Sequence, residues 1–374
     1  MRRPFIFTTV IFITLGMIAV AHAVVYEALA AIVATLFFIQ LPPFVAYIFI
    51  FLAVSFTLAT FISMKWNNKA VRTFYIFSAG WTGFLIYFFF AAFVYGVVVI
   101  MTPWLVISSV FIAWIGIGFL AVALMTGIYG IFHGNDIHVT KVNVTMPWKN
   151  RTAIWVSDIH LGHVRGSAFA TKVTDIILSL KPDIVFIGGD LYDGSKVDEK
   201  TIIEPLRALS RVPLGVYFIM GNHEEFNVHA TARYTQAIKD IGIRILDDEI
   251  VTIDGLQVIG VDHGRTENKA RFASILQEIH PLRPSILLKH EPRDLDVAAR
   301  AGISLQISGH THQGQIFPVS LVTKLTFKGF DYGLKKYTDS GGNSMQVYTS
   351  SGVGTWGPPL RVGTVSEIVV FTFI

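Results

Sequence analysis

The chain has 374 residues, 52% of them hydrophobic and only 15% charged, which is too apolar for an ordinary soluble protein and long enough for two domains. It contains no cysteine, so disulfides and thiolate metal ligands are excluded. Residues 1–135 carry only Arg2, Arg3, Glu27, Lys65, Lys69 and Arg72. The net charge of +4 therefore belongs to this half, and residues 136–374 balance 25 basic against 25 acidic side chains, which argues against a nucleic-acid patch.

Residues 1–135 read as a transmembrane helical domain. A crossing helix needs about 20 apolar residues, and the uncharged stretches 4–26, 28–64 and 73–135 all reach that length. The last is long enough for two spans broken near Thr102–Pro103, so the pattern predicts spans at 5–25, 43–63, 74–101 and 104–132. Residues 26–41 end at Pro42–Pro43 and fit an extension of the first helix, an interfacial segment or a fifth span. Basic residues favour cytoplasmic loops. Arg2 and Arg3, and then Lys65, Lys69 and Arg72, satisfy this with four spans, which leaves the following domain in the cytoplasm. Residues 1–23 also read as a signal peptide closing on Ala21-His22-Ala23. The spans lack the ionisable residues that mark transport paths, so this half is expected to be an anchor without chemistry of its own.

From Asp136 onward, short apolar runs repeatedly deliver polar clusters. Ile154-Trp155-Val156 enters Ser157-Asp158-Ile159-His160, Ile184–Ile187 enters Gly188-Gly189-Asp190, and Val216–Met220 enters Gly221-Asn222-His223-Glu224. Ile286–Leu288 enters Lys289-His290, and Ser304–Ile307 enters Ser308-Gly309-His310-Thr311-His312. Runs of this kind read as buried strands. Helical patterns at 167–180, 200–210, 228–241 and 268–279 lie between them. Alternating strands and helices predict an α/β domain whose site lies at the strand ends.

The clusters together supply Asp158, His160, Asp190, Asn222, His290, His310 and His312. Carboxylate, imidazole and amide oxygen suit manganese, iron or zinc. In an extended segment residues two apart project to one side, so Asp158/His160 and His310/His312 are each expected to aim a pair into one pocket. Two divalent ions about 3.5–4 Å apart, sharing one carboxylate, would acidify a water and clamp a phosphoryl group for in-line attack by hydroxide. A lone D-x-H or H-x-H means little; five clusters in this order, each behind an apolar run, point to a metal site.

That order resembles the calcineurin-like metallophosphoesterase superfamily. Its pattern of D-x-H, G-D-x-x-D, G-N-H-D/E, a lone His and G-H-x-H reads here as Asp158-Ile159-His160, Gly189-Asp190-Leu191-Tyr192-Asp193, Gly221-Asn222-His223-Glu224, His290, and Gly309-His310-Thr311-His312. The resemblance covers about residues 150–320 and implies a four-layer α/β/β/α sandwich within a metallophosphoesterase domain at 136–374. It implies that Asp158, His160, Asp190 and His312 hold one ion, that Asp190 bridges, and that Asn222, His290 and His310 complete the second. It implies that His223 touches the phosphate or protonates the leaving oxygen, oriented by Glu224 or Asp193, and it points to manganese. His290-Glu291-Pro292, Gly309–Gln315 and a tail with Ser351–Gly354, Trp356, Pro358 and Arg361 are similar to the bacterial membrane-linked branch, whose members are assigned as diesterases or lipid-directed pyrophosphatases. The end of the tail departs from it, with Val365-Ser366-Glu367-Ile368 where Pro-Glu-Ile is expected.

Several residues outside the motifs are candidates for contacting substrate: His163 and Arg165, just past the first motif, and Arg265, after Asp262-His263-Gly264. Trp356 is expected to line the site, touch the bilayer interface or occupy a plain turn. The reading is a membrane-anchored phosphodiesterase or pyrophosphatase acting on an amphiphilic or nucleotide-linked lipid substrate. A tethered monoester or protein phosphatase and a non-catalytic membrane signalling module are the alternatives. Oligomeric state is left open.

Overall fold

The computed structural model describes residues 2–105, 107–148, 150–225, 228–264 and 268–374, with side chains from residue 12 onward except at 105, 228 and 229. Among these residues the chain separates into two compact units: Met1–Phe132 with Gly357–Leu360, and His133–Trp356 with Arg361–Ile374.

The first unit is built from four apolar helices, each long enough to cross a membrane: α1 (Arg2–Phe37), α2 (Pro43–Lys65), α3 (Lys69–Leu105) and α4 (Ser109–His133). Residues 26–37 extend α1, which at 36 residues is about 54 Å long, well beyond the roughly 30 Å hydrocarbon core. The expected break near Thr102–Pro103 falls a few residues later, between Leu105 and Ser109: α3 runs through Pro103 to Leu105. Proline has no N–H to give the carbonyl four residues back, and here the Thr102 hydroxyl donates to that carbonyl, on Val99, instead. The spans are also not free of ionisable groups. His22 of α1 is buried, with the Trp81 indole N–H of α3 donating to its Nε2 (2.9 Å) and its own Nδ1–H donating to the Ile18 carbonyl (2.8 Å). Both ring nitrogens are thus occupied in joining two helices, as suits a polar group in lipid.

The second unit contains two six-stranded sheets. One follows the order β1 (Ile137–Val144), β12 (Ser366–Phe373), β2 (Thr152–Val156), β3 (Ile184–Ile187), β4 (Val216–Phe218) and β5 (Arg244–Ile245). The other follows β10 (Gly333–Thr338), β11 (Ser344–Thr349), β9 (Leu305–Ser308), β8 (Ser285–Leu288), β7 (Leu256–Gly260) and β6 (Glu249–Ile253). Strands β2 to β5 are mutually parallel, as are β11, β9, β8 and β7.

Period-two alternation makes the layers. Ala153 and Trp155 of β2, Ile184 and Phe186 of β3, Ile286 and Leu288 of β8, and Leu305 and Ile307 of β9 form one core between the sheets. Ile154, Val156, Val185 and Ile187 face the other way, onto α5 (Ser167–Ser179) and a helix at Val228–Asp240. Leu287 and Ile259 pack beneath helices at Lys269–Leu276 and Leu295–Arg300. The result is an α/β/β/α sandwich whose central strands are buried on both faces, which explains why they read as unbroken apolar runs. The helical pattern at 200–210 divides into a short α-helix, Glu199–Ile203, and a 3-10 helix, Glu204–Arg211, because Pro205 interrupts the amide ladder.

Candidate metal centre

The parallel strands β2, β3, β4, β8 and β9 end beside one another, and the polar clusters follow directly on them. Three side-chain groups gather there: Asp158 with His160 and His312, His160 with Asp190 and His223, and Asp190 with His290 and His310, the ligand atoms of each group lying within 4.8 Å of one another. Asp190 belongs to two groups and joins them. His160 Nε2 lies 3.0 Å from His312 Nε2 and 3.8 Å from Asp190 Oδ2. His312 Nε2 is 3.6 Å from Asp158 Oδ1, and His290 Nε2 is 3.3 Å from Asp190 Oδ2. Asn222 Oδ1 sits 2.8 Å from His310 Nδ1 and 3.2 Å from His290 Nε2. Every residue of the sequence-derived ligand set therefore converges here.

The way the D-x-H and H-x-H pairs point inward differs from the expectation. Asp158, His160, Asp190, His310 and His312 all have left-handed backbone, with φ of 54°, 50°, 51°, 68° and 48°. They are not extended, so the pairs converge through alternating left-handed turns rather than a strand pleat. Such conformations cost about 1–3 kcal/mol each and persist where the surroundings impose them. Here the loops brace one another: Asp158 N–H donates to Gly189 O and His160 N–H to Asp190 O, both at 3.0 Å, while His310 N–H donates to the Asp158 carboxylate at 3.0 Å. Packing is tight enough that a Cβ on Gly221 would stand 2.2 Å from Asp190 Oδ1.

The donor set fits divalent cations. His290 Nδ1–H donates to the Gly188 carbonyl (2.7 Å), which turns Nε2 toward Asp190; burial by itself would lower this imidazole, yet the Asp190 and Asp158 carboxylates push it up to about 10. Glu291 Oε1 lies 3.1 Å from His310 Nε2 and leaves Nδ1 facing Asn222. Burial lowers His310 to about 4 and takes His160 and His312 well below the usual range, so these imidazoles are neutral lone-pair donors at neutral pH. Burial by itself would raise Asp190, yet the cationic His290 beside it holds its pKa well down. Burial pushes Asp158 up to about 6. Crowding several imidazoles and two carboxylates at 3–4 Å without a cation is costly, and the buried Nδ1 of His160 finds no hydrogen-bond partner among the described residues.

His223 lies at the edge of this cluster, its ring centroid 4.7 Å from that of His160. Its orientation differs from the expectation. His223 Nδ1 meets the backbone carbonyl of Asp193 at 3.1 Å, while the Asp193 carboxylate accepts from the Ser195 amide and hydroxyl. Glu224 holds backbone rather than imidazole: its carboxylate accepts from the N–H groups of Asp190 (2.9 Å), Gly221 (2.8 Å) and Tyr192 (3.1 Å). Arg165 is likewise turned inward. It is buried, lies 4.5 Å over the Phe169 ring, and donates to Gly134 O (2.7 Å) and Asn135 Oδ1, so it pins the entry to β1 instead of facing a substrate phosphate. His163 is also buried. Arg265 lies outside the described residues.

Two residues not named as site residues from the motifs support the centre. Glu291 orients His310, as noted. Arg361 is fully buried and donates to the carbonyls of Ser351 (2.6 Å), Gly354 (2.8 Å), Gly352 (3.2 Å) and His312 (3.2 Å). Glu291 had a sequence signal in its adjacency to His290; Arg361 had only the tail resemblance, because its partners lie up to 49 residues away.

The calcineurin-like phosphoesterase family profile matches residues 151–314. The chain is 32% identical over 225 residues to a metallophosphoesterase of Helicobacter pylori, covering 59% of each. It is 32% identical over 237 residues to a transmembrane protein with metallophosphoesterase domain of Bos taurus, covering 58% of this chain and 51% of that one. A metallophosphoesterase of Aquifex aeolicus is 30% identical over 262 residues, covering 67% of this chain and 97% of that one. The chain spans about three fifths of the length of the Helicobacter relative. The relative from Aquifex is matched along nearly its whole length, and with the family profile over the motif-bearing residues it shows that the chain belongs to the calcineurin-like metallophosphoesterases.

Proposed function

We propose that this protein is a membrane-anchored phosphoesterase that holds two divalent ions, preferentially manganese, and hydrolyses phosphodiester or pyrophosphate bonds in an amphiphilic or nucleotide-linked lipid substrate. The observation that carries this reading is the run of three donor groups linked through His160 and Asp190, with His223 a member of the middle one. Asp158, His160 and His312 would hold one ion, His290, His310 and Asn222 the other, with Asp190 between. When bound, such ions supply charge to a phosphoryl group and acidify a water for attack. The chain's own part is to present the neutral imidazoles of His160, His310 and His312, to orient His290 through Gly188 and His310 through Glu291, and to hold His223 with its Nδ1–H on the Asp193 carbonyl. With Nδ1–H on that carbonyl, Nε2 carries a proton to give to an ester oxygen only when the ring is an imidazolium, the form a general acid needs. The apolar helices support an amphiphilic substrate, since an enzyme anchored in a bilayer meets headgroups at high local concentration. The basic residues at Lys65, Lys69 and Arg72 support a cytoplasmic hydrolase. Proteolysis of the hydrolase in right-side-out vesicles but not in inverted ones would overturn that sidedness.

The test is purified full-length protein assayed on bis(4-nitrophenyl) phosphate and 4-nitrophenyl phosphate, with and without manganese, beside Asp190→Asn. Manganese-dependent diester cleavage, reduced at least about 100-fold in the variant, is expected, since even outer-sphere changes cost 10–100-fold. Preference for the monoester would select a tethered monoester phosphatase. No turnover of either with metal bound would refute hydrolysis of simple esters and favour a binding role.

A further inference from the structure

The loop after β11 is fastened to the metal motifs more firmly than a surface turn requires. Val353 N–H donates to Ser157 O (3.0 Å) and Gly354 N–H to Asp158 O (2.9 Å), which lays the loop along the first motif. A Cβ on Gly354 would come within 2.3 Å of the Ile159 carbonyl oxygen, so only glycine permits that approach. Arg361 holds the carbonyls of Ser351, Gly352 and Gly354 from inside. At the far end Gln315, three residues past His312, pairs with the main chain of Trp356: Trp356 N–H donates to Gln315 Oε1 (2.8 Å), and Gln315 Nε2–H donates to Trp356 O (3.1 Å). On this fixed backbone the indole is 54% exposed, and its centroid stands 5.9 Å from that of His223 at an interplanar angle of 69°.

A single exposed apolar side chain is ordinary. What makes this one informative is that the backbone beneath it is immobilised by both metal motifs and that its neighbour is the histidine beside the shared carboxylate. We infer that Trp356 is a specificity residue, whose indole receives the group carried on the ester oxygen nearest His223 and favours an alcohol moiety with a flat apolar face, an aromatic or sugar ring, close to that oxygen. The inference rests on the phosphoesterase reading above. A phosphate in reach of His223 has its substituent about one ring's width from the indole. Loss of a ring contact of this kind, together with the apolar area it covers, corresponds to roughly a tenfold change in affinity.

The experiment uses the full chain in detergent with manganese, comparing wild type, Trp356→Ala and Trp356→Phe on bis(4-nitrophenyl) phosphate, with inorganic phosphate as a competitive inhibitor that has no ring. The alanine variant is expected to raise KM about tenfold with kcat little changed, and phenylalanine to recover most of the loss. The inhibition constant of phosphate should be the same in all three proteins. An unchanged KM in Trp356→Ala, or a phosphate constant that worsens in step with KM, would overturn the inference alone, because the second result would show a displaced loop rather than a lost ring contact. Absence of Asp190-dependent hydrolysis in the wild type would overturn the phosphoesterase reading and this inference with it.

Discussion

Replacement of Glu224 separates a carboxylate that holds backbone from one that serves His223. Its Oε2 accepts from the amides of Asp190 and Gly221 and its Oε1 from that of Tyr192, all in a fully buried environment. Glu224→Ala leaves three buried N–H groups without an acceptor, at about 1–3 kcal/mol each. Allowing for relaxation, the loss is about 3–5 kcal/mol, or roughly 10 °C in the melting temperature of a domain this size. Glu224→Gln can keep its oxygen on the first two amides while its NH2 opposes Tyr192. Burial and the neighbouring Asp190 already push the Glu224 carboxyl up to about 7, so a neutral side chain is nearly tolerated, and the cost falls to about 1 kcal/mol. Thermal unfolding of full-length protein in detergent, read beside manganese affinity and the pH–rate profile, distinguishes the two roles. The expected result is graded loss of melting temperature and metal affinity, with a pH–rate profile of unchanged shape, because His223 keeps the Asp193 carbonyl. A glutamine variant that melts like wild type but shifts the pH–rate profile would refute the reasoning.

Arg361→Met strips several buried carbonyls of their shared donor and should cost about 3–5 kcal/mol, with Arg361→Lys intermediate because an ammonium cannot span the same fork; equal melting of all three proteins would contradict this. Burial and a hydrogen bond with Asp262 push Glu225 up to about 7 from a usual 4.5, and Glu225 also accepts from Gly264 N–H (2.9 Å). The folded chain thus binds this proton more tightly than the unfolded chain, so the contribution is complete below about pH 4.5 and is lost as pH rises through about 7. The melting temperature should fall across that window in wild type by an amount that Glu225→Gln does not show; identical pH profiles of melting would rule out the link.

Much of the site is legible along the chain because its ligands stand at the ends of strands. A buried parallel strand must be apolar on both faces, so the first polar residues after each run mark where the chain leaves the sheet, and Asp158, Asp190, Asn222, His290 and His310 announce themselves in this way. The membrane helices are legible for a related reason: lipid accepts only long uncharged stretches, and α1 to α4 contain them. Residues whose role depends on a distant partner carry no such mark. Glu224 reads as an acid beside a histidine until three amides from two loops are seen to fill its oxygens. Arg165 reads as an exposed cation after a motif until it is found beneath Gly134 and Asn135. Thr102–Pro103 reads as the break between two spans until the Thr102 hydroxyl is seen to serve the carbonyl that proline abandons, which carries the helix on to Leu105.

What the sequence alone determined is the order of apolar runs and the chemistry of the residues that end them, since both follow from local pattern and side-chain type. Only the tertiary structure decided which of those residues face one another, in which backbone conformation, and which polar neighbours serve as braces, because hydrogen bonds between loops far apart in the chain exist only once the two sheets have packed.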